Sequence, residues 1–219
     1  MENGQQWQGK LCYAYGTSLT SESWGKYIPW LERLSGLAIV NHGLPAQGLT
    51  NLGGCSTGKT KEAIMNLDDG KQQADLILLE VGANEGGPYG EIFDTGDDTF
   101  CGCLNQSLRY LLQNTAAQIV VIPSTVLRDA PEDCQYYYNY LLKTEEVCKI
   151  NRVWFLGHAD GMGQARLKDN DRFIWDNVHQ TDLGGYNRAV SVWSMLKHVP
   201  LFYAEIPQQL DTLEGGGQL

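Results

Sequence analysis

Short apolar runs that alternate with amphipathic stretches along the whole chain predict an α/β layered fold built on a parallel sheet. Two observations carry that expectation. Leu76-Ile-Leu-Leu-Glu-Val and Ile119-Val-Val-Ile are continuous rather than alternating in polarity, as in strands covered on both faces. Each run also ends in Gly, Asn or Ser ahead of a stretch whose apolar residues recur three or four positions apart, the pattern of a right-handed crossover through a helix.

In chain order the strands are expected at residues 11–15, 37–41, 75–82, 118–124 and 152–157. The helices between and after them are expected at 27–34, 59–67, 99–113, 131–148 and 182–197. Ligands of such a fold bind beyond the carboxyl ends of the strands, so the segments that follow strands carry the search for a site.

The chain has 219 residues, of which 42% are hydrophobic and 19% charged, enough for one domain over 1–219 with a continuous core. A short polar lead at 1–9 and a Gly-rich tail at 214–219 flank it, and no linker, repeat or low-complexity tract divides it. A net charge of −10 argues against a surface that neutralises phosphates, so nucleic acid is not an expected partner. The first ten residues hold no apolar core of a signal peptide, and no window reaches the ~20 apolar residues that cross a bilayer. A soluble chain is expected, either cytoplasmic or part of a larger exported or virion protein. The six cysteines are too sparse for a disulfide scaffold, and Cys101-x-Cys103 has no second pair to complete a zinc site, so they read as small buried hydrophobes.

Four segments hold residues that could carry chemistry. After the first strand, Tyr15-Gly16-Thr17-Ser18-Leu19-Thr20 places a serine at a strand end; it reads either as a nucleophile, which then needs a base and a group to orient that base, or as a helix N-cap. After the second, a loop over 41–50 contains Gly48, whose N–H either faces a substrate oxygen or merely closes a turn. After the third, Gly82-Ala83-Asn84-Glu85 sets an amide side chain past a buried strand, either as an oxyanion donor or as a turn residue in the left-handed region. Near the C-terminus, Asp176-Asn177-Val178-His179 precedes the last helix, which Thr181 or Asp182 caps. That spacing lets a carboxylate hold one imidazole nitrogen while the other faces a serine.

Taken in order, these segments resemble the four sequence blocks of the SGNH hydrolases, also called the GDSL esterase/lipase family. Gly16-Thr17-Ser18-Leu19 matches the first block, Gly48-x-Thr50 the second, Gly82-x-Asn84 the third, and Asp176-x-x-His179 with Thr181-Asp182-Leu183-Gly184-Gly185-Tyr186 the last. The likeness spans Gly16 to about Lys197. It implies a three-layer α/β/α sandwich around a parallel five-stranded sheet, flavodoxin-like in order. It further implies a Ser18–His179–Asp176 triad, with the Ser18 and Gly48 N–H groups and the Asn84 amide as an oxyanion hole, and no cofactor or metal. Thr17 and Glu85 depart from the family pattern, which has Asp at both places.

The remaining histidines are weaker candidates: His42 as a pocket residue or turn histidine, His198 at a helix end, and His158-Ala-Asp160-Gly161 as a substrate-facing loop. The polar segments 85–98 and 159–175 are long for plain connections and read as parts of a site. Asp94-Thr-Gly-Asp-Asp98 lacks the spacing of a calcium loop, and Tyr136, Tyr137, Tyr138 and Tyr140 read mainly as packing residues of a helix. The function implied is a serine esterase, foremost an O-acetyl carbohydrate esterase acting on a small-molecule or glycan ester. The rivals are a lipase, lysophospholipase or thioesterase with the same triad, and a non-catalytic glycan-binding module of a surface or virion protein.

Overall fold

A computed structural model of the chain describes residues 5–67, 74–124, 131–157, 170–176 and 178–201. Five strands, β1 (Leu11–Gly16), β2 (Ala38–Gly43), β3 (Leu76–Val81), β4 (Gln118–Pro123) and β5 (Trp154–Phe155), form one sheet in the order β2-β1-β3-β4-β5. Every pairing is parallel. Among the described residues six helices accompany it: α1 (Tyr27–Ser35), α2 (Lys59–Met65), α3 (Phe100–Asn114), α4 (Pro131–Asn151), α5 (Asn170–Phe173) and α6 (Asp182–Leu196). The chain reverses direction across the sheet between β1 and β3, and the crevice at such a switch point is where this topology places ligands.

Side chains two apart along a strand share a face, and the two faces bury different helices. Cys12, Ala14, Leu76, Leu78, Val120 and Ile122 pack against Tyr27 and Leu31 of α1 and Ala189, Val192 and Leu196 of α6. Tyr13, Tyr15, Ile77, Leu79, Ile119 and Val121 pack against Ile64 of α2, Leu104 and Leu108 of α3 and Tyr140 and Val147 of α4. Three layers result, as expected, with β3 buried along its whole length at the centre.

Three local expectations need correction. The polar lead is partly structured: a 3-10 turn over Gln5–Trp7 buries Trp7, whose Nε1–H donates to the Leu196 carbonyl at 3.0 Å. α4 runs three residues further than its periodicity indicates and shortens β5, because Arg152 adopts φ +57° and the Val153 N–H returns to the Cys148 carbonyl at 3.0 Å, closing the helix end. α5 lies inside a segment read as loop. Arg188 of α6 is fully buried; its guanidinium lies 4.6 Å from the Tyr27 ring centroid and donates from Nη2 to the Pro123 carbonyl at 2.8 Å.

Candidate active site

β1 delivers its chain end into a tight turn, in which the Thr20 and Ser21 N–H groups both donate to the Thr17 carbonyl. Ser18 sits in that turn, 7% exposed. The turn is seated on a carboxyl group from the next strand: Glu80 Oε2 accepts from the Thr17 N–H at 2.7 Å, the Thr17 hydroxyl at 2.8 Å and the Thr20 hydroxyl at 3.2 Å. The Ser124 hydroxyl donates to the other oxygen, Oε1. Gly16 is required at the strand end, since a Cβ there would fall 2.6 Å from Glu80 Oε2.

The segment before α6 is a second tight turn. Ile174 and Gln180 form an antiparallel bridge, and the Trp175 N–H donates to the His179 carbonyl at 3.0 Å. Within it Asp176 Oδ1 accepts from the Val178 and His179 N–H groups at 3.1 and 2.6 Å, the side-chain-to-backbone pattern that Asp favours in turns. Thr181 is the cap of α6: its Oγ accepts from the Gly184 N–H at 3.1 Å and its hydroxyl donates to the Arg172 carbonyl at 2.6 Å, tying α5, the turn and α6 together.

The two turns meet. Ser18 Oγ lies 3.0 Å from His179 Nε2, and His179 Nδ1 lies 2.6 Å from Asp176 Oδ2. Burial acts to raise the Asp176 pKa, but the hydrogen bonds from the His179 ring, the His179 N–H and the Val178 N–H outweigh it and hold the carboxyl below its ordinary range. An ionised Asp176 accepts and cannot donate, so in the neutral ring the proton resides on Nδ1 and Nε2 turns a lone pair toward the Ser18 hydroxyl. These are the relations a nucleophile, a base and an orienting group must have.

The expected oxyanion donors are placed less uniformly. The Ser18 N–H has no hydrogen-bond acceptor among the described residues. One Asn84 N–H donates to the Gln47 carbonyl at 3.0 Å, leaving the second of that amide's two N–H groups. The Gly48 N–H instead donates to Ser56 Oγ at 2.9 Å, a hydroxyl also bound to the Gly58 N–H at 3.0 Å and the Thr50 carbonyl at 2.6 Å. Ser56 belongs to the stretch between Thr50 and α2, and nothing in that stretch's pattern singles it out. The loop itself rests on Glu85, whose carboxyl accepts from the Leu49 N–H at 3.1 and 3.2 Å and the Thr50 N–H at 3.1 Å. A Cβ on Gly48 would meet Glu85 Oε1 at 2.6 Å. Burial pushes the Glu85 carboxyl above its ordinary pKa despite those N–H groups.

Other candidates fall away from this point. His42 ends up on β2 rather than in a loop, stacked on Tyr15 with ring centroids 5.0 Å apart. His198 is exposed beyond α6. His158, the 158–161 loop, most of 159–175 and the Gly-rich tail lie outside the described residues. Within the segment 85–98, Glu85 seats the Gly48 loop, and the stretch 91–98 is tied to α3: Asp94 Oδ2 accepts from the Glu91 N–H and the Thr99 hydroxyl, and Asn105 Nδ2 donates to the Ile92 and Asp94 carbonyls. Tyr140 packs between Tyr89 and Phe100. Among the described residues no three His, Cys, Asp or Glu side chains are grouped to hold a metal ion, and no helix is long and apolar enough to cross a membrane.

No protein-family model matches the sequence, and no curated protein matches it either. Solved structures do match. Axe2, an acetyl-xylooligosaccharide esterase from Geobacillus stearothermophilus, superposes with a TM-score of 0.65 at 14% identity, over 94% of this chain and 100% of its own. A GDSL-like lipase from Bacteroides uniformis gives 0.62 at 18%, over 87% and 97%. A lipolytic protein of the G-D-S-L family from Desulfitobacterium hafniense gives 0.61 at 14%, over 85% and 99%.

The fold is that of the SGNH hydrolases. In SGNH terms, both departures of this chain from the family pattern have a structural account. An Asp in place of Thr17 would set a second carboxyl against Glu80 Oε2, whereas Thr17 offers that oxygen two donors. Glu85, with a longer side chain than the usual Asp, spans to the N–H groups of Leu49 and Thr50.

Proposed function

We propose that this chain is a serine esterase that uses Ser18 as nucleophile, His179 as general base and then general acid, and Asp176 to orient the imidazole. The observation that supports this reading best is the unbroken relay from Ser18 Oγ through both His179 nitrogens to Asp176 Oδ2, at 3.0 and 2.6 Å. Nε2 takes the hydroxyl proton as Ser18 Oγ bonds to the ester carbonyl carbon. The resulting imidazolium gives that proton to the departing alkoxide as the C–O bond breaks. Water, deprotonated by the same nitrogen, then attacks the acyl-Ser18 ester and releases the acid. The negative oxygen of each tetrahedral intermediate is received by the Ser18 N–H and the second N–H of Asn84; a single such donor is worth about 3–4 kcal/mol. Gly48 joins them only if Ser56 releases its N–H.

The substrate class we favour is an O-acetyl ester of a carbohydrate. A fold shared with an acetyl-xylooligosaccharide esterase supports this, as does a net charge of −10 that disfavours anionic lipid surfaces. A fluorophosphonate probe is expected to label the wild-type protein and not Ser18→Ala, and that substitution is expected to lower kcat by roughly 10⁶-fold. On a series of chromogenic esters of increasing chain length, activity is expected to be confined to the shortest. A folded wild-type protein that resists labelling overturns the esterase assignment, and a preference for long chains overturns the acetyl assignment.

A further inference from the structure

Two tryptophans flank the imidazole. Trp24, in the connection from the Ser18 turn to α1, has its ring centroid 4.7 Å from that of His179, and Trp175, next to Asp176, lies 5.9 Å away. The two indoles are 5.5 Å apart with their planes at 20°. Both face solvent substantially, Trp24 at 37% and Trp175 at 55% exposure. One exposed aromatic side chain needs no explanation. Two near-parallel indoles from distant parts of the sequence, stacked as an offset pair beside the same imidazole, present exposed aromatic face at the site.

We propose that Trp24 and Trp175 are the platform on which the sugar ring of the departing alcohol stacks. This rests on the esterase reading, and the chemistry of that reading fixes the side. His179 must hand its proton to the alkoxide from Nε2, so the alcohol departs from the edge of the ring beside which the two indoles are stacked. The ring C–H bonds of a pyranose carry partial positive charge and pack against the negative face of an indole, while its hydroxyls stay at the rim. Exposed Glu22, Ser23 and Lys26 border Trp24 in the sequence, polar neighbours suited to such a rim. A long acyl chain requires enclosure on all sides to leave water, which two half-exposed rings do not provide.

The test compares acetylated xylotriose with ethyl acetate, whose alcohol is too small to reach the platform, in the wild type, Trp24→Ala, Trp175→Ala and Trp175→Phe. In each alanine variant the preference for the sugar ester, taken as the ratio of kcat/KM values, is expected to fall about tenfold through KM. Phenylalanine is expected to restore most of it. Equal losses on both esters overturn the platform, since indoles that merely hold His179 in place would affect both alike; an unchanged preference overturns it too. If neither ester is cleaved and the fluorophosphonate does not react, the esterase reading has failed, and the platform is then read by binding alone. Xylotriose titrated into Ser18→Ala is expected to give a saturable change in tryptophan fluorescence that Trp175→Ala abolishes. No saturable change, or one produced by decanoate instead, overturns the proposal.

Discussion

Two buried glutamates at the C-terminal end of the central strand, Glu80 and Glu85, each seat one loop of the site, and they do so with different kinds of donor. Glu80 gathers three hydroxyls and one backbone N–H, and thereby fixes the turn that bears Ser18. Glu85 gathers chiefly backbone N–H groups, those of Leu49 and Thr50, with the Thr50 hydroxyl beside them, and thereby fixes the loop that bears Gly48. Hydroxyls rotate to meet an acceptor, whereas backbone donors point where the chain points. The Ser18 turn is consequently specified more by side-chain identity, and the Gly48 loop more by the path of its backbone.

The comparison can be broken at three points. Glu80→Leu removes the shared acceptor of four donors, of which only the Thr20 hydroxyl keeps another partner, the Tyr27 hydroxyl, and is expected to cost about 3–5 kcal/mol in urea unfolding, with a fall in kcat on any ester. A variant as stable as the wild type would remove Glu80 from its place under the Ser18 turn.

Thr17→Asp installs the usual family residue, and here it sets two carboxyls side by side. One of the pair must keep its proton, so its pKa rises in the folded state. The expected cost is about 2–4 kcal/mol at pH 8 and less at pH 5, because a raised carboxyl pKa makes stability fall as pH climbs through it. A loss independent of pH would mean that the two carboxyls do not face each other.

Glu85→Gln sharpens the contrast with the smallest change. The raised pKa of Glu85 means that the folded protein holds this proton more tightly than the unfolded chain does. Its contribution to stability is therefore present at pH values below the ordinary carboxyl range and is lost as pH rises through the raised value. The amide cannot titrate, so the stability difference between wild type and variant is expected to shift in the variant's favour from pH 4 to pH 8. Parallel stability curves would contradict the assignment.

Much of this architecture is legible in the sequence, because a buried parallel strand and an amphipathic crossover helix leave strong local signals. Leu76 to Val81 and Ile119 to Ile122 announce their strands by apolar continuity, and Ser18, Asp176 and His179 stand at the strand and helix ends where the topology converges. What escapes the sequence depends on partners far along the chain. Glu80 hides inside an apolar run; the signal present was the run itself, since a carboxyl in a fully covered strand must find donors. Trp24 and Trp175 look like ordinary aromatics until two loops bring them together. Ser56 is one polar residue among several until its hydroxyl is found on the Gly48 N–H. The end of α4 is misjudged because Arg152 takes a left-handed conformation that glycine more commonly adopts.

The imidazole rides at one tip of a 15-residue helix that is pinned along its length. Thr181 fastens the near tip to the Arg172 carbonyl, Arg188 bolts the middle to the rim of β4, and Trp7 grips the far tip at Leu196. α6 thus works as a strut whose axial position sets the gap between Nε2 and the serine oxygen. On the proposed mechanism a slide of about one ångström would stretch that gap beyond useful contact and slow turnover by about a hundredfold, so a substitution at Trp7, at the opposite tip of α6 from the imidazole, is placed to detune the relay.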